Sequence, residues 1–334
     1  MEDAAAPPPA PPPPASLSDG TSPPAVLILG AGAVGIFYGG KLARAGVPVS
    51  FRLRSADHPA LTRGFHVESI DGDFSFQPHR LYTPSDPPPP VFDYVIYCVK
   101  ALPEIDPAAL IRPVLGPGTT LVLLQNGVEI EEPTARAFPD HPLLSALAFV
   151  CVSRTAPERV RHLCFGRLAL GSYPREGRGR PEAERLARCF EGAGVPCAVA
   201  EDIVTERWRK LVWNAPFNPL SALTGASTRR MIEDSAALPL IRGVMEEVRR
   251  IAAATGHPLP EEVVEKNIAD TRRMEPYQTS MLLDHLAGRP LETEAILGNA
   301  LRAAHRCGVA APRLETLHAL LTLLAPSPDD ASPS

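Results

Sequence analysis

The residue pattern with the clearest chemical potential lies in ERWRKLVWNAPFNPLSALTG, residues 206–225. Lys210, Asn214 and Asn218 recur at every fourth position, so on a helix they fall within an arc of about 80°. Trp208, Leu211, Val212, Trp213, Phe217 and Leu220 stand around them and are apolar enough to bury that helix. Three polar side chains on one face of a buried helix need partners or a wet cleft. The alternative is a solvent-facing stripe with the opposite face in the core, but asparagine is a poor residue for an exposed helix interior. A lysine in such a cleft can serve as a general acid, because burial favours the neutral amine and lowers its pKa toward the working range. Pro216 and Pro219 are expected to kink or open the helix and free carbonyls beside the cleft.

Composition sharpens the case for Lys210. Of the 33 basic residues only Lys41, Lys100, Lys210 and Lys266 are lysine. In a chain so biased toward arginine, a retained lysine marks a place where a compact, titratable ammonium is needed. A guanidinium cannot give up its proton there.

A second chemical signal lies near the start of the fold. The apolar run 25–29 leads directly into Gly30, Ala31, Gly32, Ala33, Val34 and Gly35, and a helical pattern ending at Gly46 follows. Strand, G-x-G-x-x-G loop and helix in that order form a dinucleotide-binding fingerprint. The free N–H groups at the helix start then hold the phosphates. The second strand would end in an acid for NAD. It ends instead in Phe51, Arg52, Leu53, Arg54 and Ser55. Arginine suits a 2′-phosphate, so the expected cofactor is NADPH, with Arg54 the better candidate of the two. Lys100 and Asn126 each follow an apolar strand, at the carboxyl edge where ligands of open α/β sheets sit. A solvated lysine and a loop-capping asparagine are the bland alternatives.

Further along, Thr279 and Ser280 open a helix whose hydroxyls and free N–H groups could hold a small carboxylate, although capping alone explains them equally well. Glu292 and Glu294 begin the next helix, where dipole complementation is the bland reading.

The elements that must position these groups are legible in outline. Short apolar runs at 25–29, 47–53, 91–99 and 119–124 alternate with helical stretches, which argues for a mostly parallel sheet covered on both faces. The segment 65–77 alternates around Asp71-Gly72, which predicts a hairpin with a two-residue turn there. Beyond about residue 201 helical periodicity takes over, with helices expected over 202–224, 236–255, 261–273, 280–287, 292–307 and 313–324. The fold class is therefore α/β, a Rossmann-type dinucleotide-binding domain over 25–201 followed by an all-helical domain over 202–325. Residues 1–24, which hold nine of the 39 prolines, and 326–334 are expected to be disordered tails.

Bulk properties are those of an ordinary globular chain: 334 residues, 45% hydrophobic and 21% charged. The net charge of -5 gives no reason to expect a nucleic-acid or anionic-membrane partner, and the Arg-rich loop at 177–180 reads as solvated. The longest apolar stretch, near Leu143 to Val152, falls far short of the ~20 residues a membrane span needs. Six cysteines without a C-x-x-C pair read as reduced thiols, and no histidine pattern has zinc-ligand spacing. The N-terminal segment is acidic and lacks basic residues before Lys41, unlike a secretory or transit signal, so a cytoplasmic location is expected.

Taken in order, GAGAVG (30–35), the Arg-bearing end of the second strand, CVKA (98–101), LLQNGV (123–128), WRKLVWNAPFNPLSALTG (208–225) and TSMLLDHLAGRPLETE (279–294) resemble the ketopantoate reductase (2-dehydropantoate 2-reductase) family. The resemblance spans about 25 to 325. It implies a small 2-keto acid substrate, reduced by NADPH in a cleft between the domains during pantothenate biosynthesis. By position, Lys210 resembles the family's catalytic lysine, and Asn214 and Asn218 its substrate-binding asparagines. Ser280 resembles the serine that touches substrate, and Glu292 the glutamate near substrate and cofactor. That outweighs the bland reading of Glu292 and leaves Glu294 as helix-start charge. Asn126 and Lys100 match cofactor-cleft positions, Asn126 being implied to touch substrate as well, and the backbone at Cys151 and Val152 is implied to meet the nicotinamide end. Leu291, Leu283 and Thr228 depart from residues common in the family, which bears on which 2-keto acid is used.

Two competing readings stay open on the residues alone. One is an NADP-linked reductase of another 2-keto acid or a β-hydroxyacid. The other is a non-catalytic NADPH sensor, which would have no need of the intact lysine–asparagine stripe. A homodimer is compatible with the sequence but not specified by it.

Overall fold

A computed structural model describes residues 22–87 and 89–324. Most of the two expected tails, 1–24 and 326–334, lies outside these residues. The first part of the chain runs β1 (Val26–Leu29), α1 (Ala33–Arg44), β2 (Val49–Arg52), α2 (Ala60–Arg63), β3 (Phe65–Ser69), β4 (Phe74–Phe76), β5 (Arg80–Tyr82), β6 (Tyr94–Tyr97), α3 (Pro107–Ile111), β7 (Thr120–Leu124), α4 (Glu132–Ala137), β8 (Leu143–Ala156), β9 (Arg159–Tyr173), α5 (Arg180–Gly192) and β10 (Cys197–Val199). The second is helical: α6 (Ile203–Thr224), α7 (Thr228–Glu233), α8 (Ala237–Ala254), α9 (Val263–Arg273), α10 (Ser280–Leu286), a π-helical turn (Glu294–Gly298), α11 (Asn299–Cys307) and α12 (Pro312–Leu324).

The strands form one sheet in the order β4-β3-β9-β8-β7-β6-β1-β2-β5, with β10 paired to β9. From β8 through β7, β6, β1 and β2 to β5 all neighbours are parallel. The central strands β1, β6 and β7 are buried along their whole length because both faces are covered. Val26 and Ile28 enter one core with α1 and α5, while Leu27 and Leu29 enter another with Ile111 and Phe138. The sheet is less uniform than expected, since β8 and β9 form a long antiparallel hairpin. Register shifts at Phe149/Val150, Cys151/Val152 and Arg154/Ala156 interrupt its alternation, which hides both strands from a period-2 reading.

The β3–β4 hairpin is present, but its turn lies one residue earlier than expected. Gly72 N–H donates to Ser69 O at 2.9 Å, so Ile70 and Asp71 occupy the turn centre and Gly72 follows at φ +101°.

The helical part is built around α6, which packs against α8, α10 and α12. Asp202 caps its start by accepting from the N–H groups of Val204 and Thr205, and left-handed Gly225 ends it. Pro216 and Pro219 do not open this helix, which runs unbroken from Ile203 to Thr224. The missing N–H groups leave only the Val212 and Ala215 carbonyls without their intrahelical donors, and the packed neighbours hold the rest. Two further differences concern helix 292–307, which begins with the π-helical turn, and the short α7, which periodicity did not indicate. Buried Glu247 of α8 accepts from Arg313 N–H, Leu314 N–H and the Arg313 guanidinium, anchoring the start of α12.

Candidate active site

α6 starts beside the carboxyl edge of the sheet, and this places Lys210 against the loop after β7. Its ammonium donates to Asn126 Oδ1 at 2.8 Å and to Ala148 O of β8 at 2.7 Å. The Phe149 ring centroid lies 5.4 Å from Nζ and also stacks under the Arg167 guanidinium at 3.6 Å. Burial is the main cause that brings the Lys210 pKa down from 10.5 to about 7. The Arg207 and Arg167 cations add to the effect and Glu292 opposes it.

Glu292 stands at the other side of Asn126. Its carboxylate accepts from Ala101 N–H at 3.0 Å and from the Asn126 side chain. Burial raises the Glu292 pKa, while the Ala101 hydrogen bond and the Lys100 charge hold it down. Asn126 thus links the lysine to the glutamate with one amide, oxygen toward the former and nitrogen toward the latter. The linkage depends on a close approach of two backbones. Val128 N–H donates to Ala295 O, and a Cβ on Gly127, whose φ is +100°, would lie 2.4 Å from that oxygen.

Asn214 and Asn218 follow Lys210 along α6 and are both buried. Among the described residues neither side chain has a hydrogen-bond partner in the protein. Ser280 lies exposed in the first turn of α10, capped by Thr279, and α10 packs on both α6 and β8. Tyr277 takes the Ser280 N–H on its phenol and contacts the Cys151 thiol, which ties this helix start to β8. Thr228 is occupied structurally: buried, it exchanges hydrogen bonds with the Tyr277 backbone. Glu294 points away from these groups, toward His318 and Arg302.

The glycine-rich loop lies at the same sheet edge. Gly32 precedes α1 without a side-chain cap, and the first turn of α1 carries no acid, so its N–H groups are left for an anion. Ala31, Ala33, Val34 and Val152 border one apolar cluster at this edge. Lys100 reaches across to the helical part, donating to Pro290 O at 2.8 Å and pairing with Asp284 at 2.7 Å. Asp284 also takes Arg289. Arg54 is exposed and, with Arg289, acts on Arg154, whose guanidinium pKa burial and these two cations lower. Arg52 instead acts on Asp86. Asp284 thus pairs with Lys100 and Arg289 and acts on Arg154, while Arg54 acts on Arg154 from the exposed side.

Sequence reasoning missed Arg207, Glu131, Arg167, Arg154 and Phe149. Arg207 had a readable signal, since it precedes Lys210 by three positions and shares its helix face.

Comparison with known proteins shows the family to which the chain belongs. Residues 26–175 match the family model described as ketopantoate reductase PanE/ApbA, and residues 202–325 match ketopantoate reductase PanE/ApbA C terminal. The chain belongs to the ketopantoate reductase family. Within that family, a 2-dehydropantoate 2-reductase of Nostoc sp. is 33% identical over 300 residues, covering 89% of this chain and 94% of the relative. The crystal structure of 2-dehydropantoate 2-reductase from Methylococcus capsulatus matches with a TM-score of 0.82 and 44% identity, over 90% of this chain and 96% of that one. The corresponding structure from Geobacter metallireducens matches at 0.82 and 35% identity, over 90% and 99%. The chain therefore has the family's Rossmann-type sheet domain and helical partner. No helix among the described residues is long and apolar enough to cross a membrane.

Proposed function

We propose that the protein reduces 2-dehydropantoate (ketopantoate) to pantoate with NADPH, and that Lys210 donates the proton. The observation that carries this reading is the Lys210 ammonium itself, with its pKa brought to about 7 and two of its donors fixed on Asn126 and Ala148. An ammonium has three donors, so one remains for a ketone oxygen.

The residues present fit the cofactor. The uncapped start of α1 offers N–H groups to a pyrophosphate, and the cluster of Arg54, Arg154 and Arg289 carries the excess positive charge that a 2′-phosphate requires. When bound, NADPH supplies the hydride that adds to the ketone carbon. Charge then develops on the ketone oxygen. Lys210 stabilises it as a cation and passes it a proton from Nζ, which completes the alcohol. Asn214 and Asn218 orient the substrate's oxygens with amides that do not compete for the proton. Ser280 and the first turn of α10 face its carboxylate. Glu292, through Asn126, keeps the ammonium aimed. No disulfide joins the cysteines among the described residues, in keeping with a reducing, cytoplasmic setting.

The test is NADPH oxidation with ketopantoate by the wild type and by Lys210→Ala, with NADPH binding measured for both. Turnover that collapses in the variant while NADPH still binds supports the reading. A folded, NADPH-binding wild type that leaves ketopantoate untouched overturns the substrate assignment and directs the search to other 2-keto acids.

A further inference from the structure

Arg207 lies on α6, three residues before Lys210, and its side chain has no exposure; neither, nearly, has that of its partner Glu131. The guanidinium enters the sheet domain and pairs there with the Glu131 carboxylate. It also donates to Ser145 Oγ at 2.7 Å, Gln125 O at 2.8 Å and Gly127 O at 3.0 Å, and more distantly to Ala146 O at 3.3 Å and Leu123 O at 3.4 Å. Ser145 in turn donates to Glu131.

The acceptors have a meaningful arrangement. Gln125 and Gly127 flank Asn126, and Ala146 precedes Ala148 by two positions on β8. Asn126 and Ala148 are the two groups that hold the Lys210 ammonium. One guanidinium therefore fixes the backbone on both sides of Asn126 and the stretch of β8 leading up to Ala148. A lysine could not reach these divergent acceptors, and an apolar residue would leave the carbonyls unpaired.

We propose that the buried Arg207–Glu131 pair is the positioning device of this active site. It holds Asn126 and Ala148 on the Lys210 ammonium and supplies fixed charge one helical turn from the proton donor. This rests on Lys210 being the proton donor proposed above. The charged groups acting on Lys210 are Arg207 from its own helix, Arg167 from β9 and Glu292 ahead of the π-helical turn.

Three variants separate position from charge. Arg207→Lys keeps the charge but not the fork, so kcat is expected to fall about 10-fold to 100-fold with the alkaline limb of the pH profile unmoved. Arg207→Met with Glu131→Leu removes both charges without stranding either, and should move the Lys210 titration upward by on the order of one pH unit. Glu131→Gln leaves the cation less compensated and should move it downward. A purely structural pair would not produce shifts of opposite sign.

The titration is read in the NADPH-bound protein by NMR of isotope-labelled lysine, the Lys210 signal being assigned by its loss in Lys210→Ala. With only four lysines the spectrum is simple. This readout needs no turnover, so failure of the ketopantoate assignment is distinguishable from failure of the positioning role. Unmoved Lys210 titration in the double variant, with kcat of Arg207→Lys within twofold of wild type, overturns the proposal. Should the double variant not fold, an unmoved titration in Glu131→Gln overturns it instead.

Discussion

With Lys210 as the proposed proton donor, the pH dependence of ketone reduction follows from the environment of that residue. A drop in pKa from 10.5 to about 7 corresponds to a penalty on the ammonium on the order of 5 kcal/mol relative to solvent. The proton donor must be charged to work, so the rate is flat below the pKa and falls above it. With a pKa of about 7, roughly a tenth of the sites hold the proton at pH 8 and about a hundredth at pH 9. Initial rates of NADPH oxidation at saturating ketopantoate, followed from about pH 6 to about pH 9, should lose nearly tenfold per unit over the upper half of that range. Oxidation of pantoate by NADP requires the neutral amine, and its profile should rise where the other falls. Lys210→Arg removes the limb together with most of the rate, because a guanidinium stays protonated throughout. Rates that stay flat to about pH 9 in the wild type, with Lys210→Ala inactive, would falsify the claim that burial tunes this lysine.

Other outcomes test the rest of the molecule. Arg54→Ser should raise KM for NADPH about 10-fold to 100-fold and leave NADH kinetics nearly unchanged, as expected for loss of a charge-assisted contact; equal effects on both cofactors would point away from the 2′-phosphate. Asn218→Ala should raise KM for ketopantoate with NADPH affinity preserved, measured by steady-state kinetics and fluorescence titration. In Gly35→Ala the new Cβ would meet Gly30 O at 2.2 Å, so NADPH binding and thermal stability should both fall, by about 1–3 kcal/mol in unfolding free energy. Glu247→Ala strands the buried donors of Arg313 and Leu314, and should cost about 2–4 kcal/mol in denaturant unfolding without altering kcat.

The legible parts of this fold were those in which local pattern and tertiary environment coincide. Strand β1 is apolar on every residue because both its faces are covered, and the glycine loop that follows has little conformational choice. The helix carrying Lys210, Asn214 and Asn218 declared its polar stripe because everything around the stripe is apolar. The β8–β9 hairpin was harder to read, since its three register shifts break the alternation that would reveal it. The prolines of α6 misled for a related reason. Their propensity to open a helix is local, whereas α8, α10 and α12 press on that helix from elsewhere in the chain.

The same distinction explains why the donor was visible and its supports were not. Lys210 could be found by type and spacing, because few residues can give a proton and this chain keeps few lysines. Arg207 is one of many arginines, and only its three-residue spacing from Lys210, not its type, sets it apart. Its role comes from where α6 enters the sheet domain, a long-range fact that brings positions about 80 residues apart into contact. Glu292 lies between these cases: its residue pattern placed it at a helix start, the family resemblance put it near substrate and cofactor, and contact with Asn126 and Ala101 shows how its carboxylate is held. Asn126 is one of the residues on which the two parts of the molecule meet, bonded to Lys210 from α6 and to Glu292 ahead of the π-helical turn while its own backbone belongs to the loop after β7. Any shift of one part against the other must strain those two bonds together, so the Lys210 ammonium is held in place only when the sheet and the helical part are correctly seated.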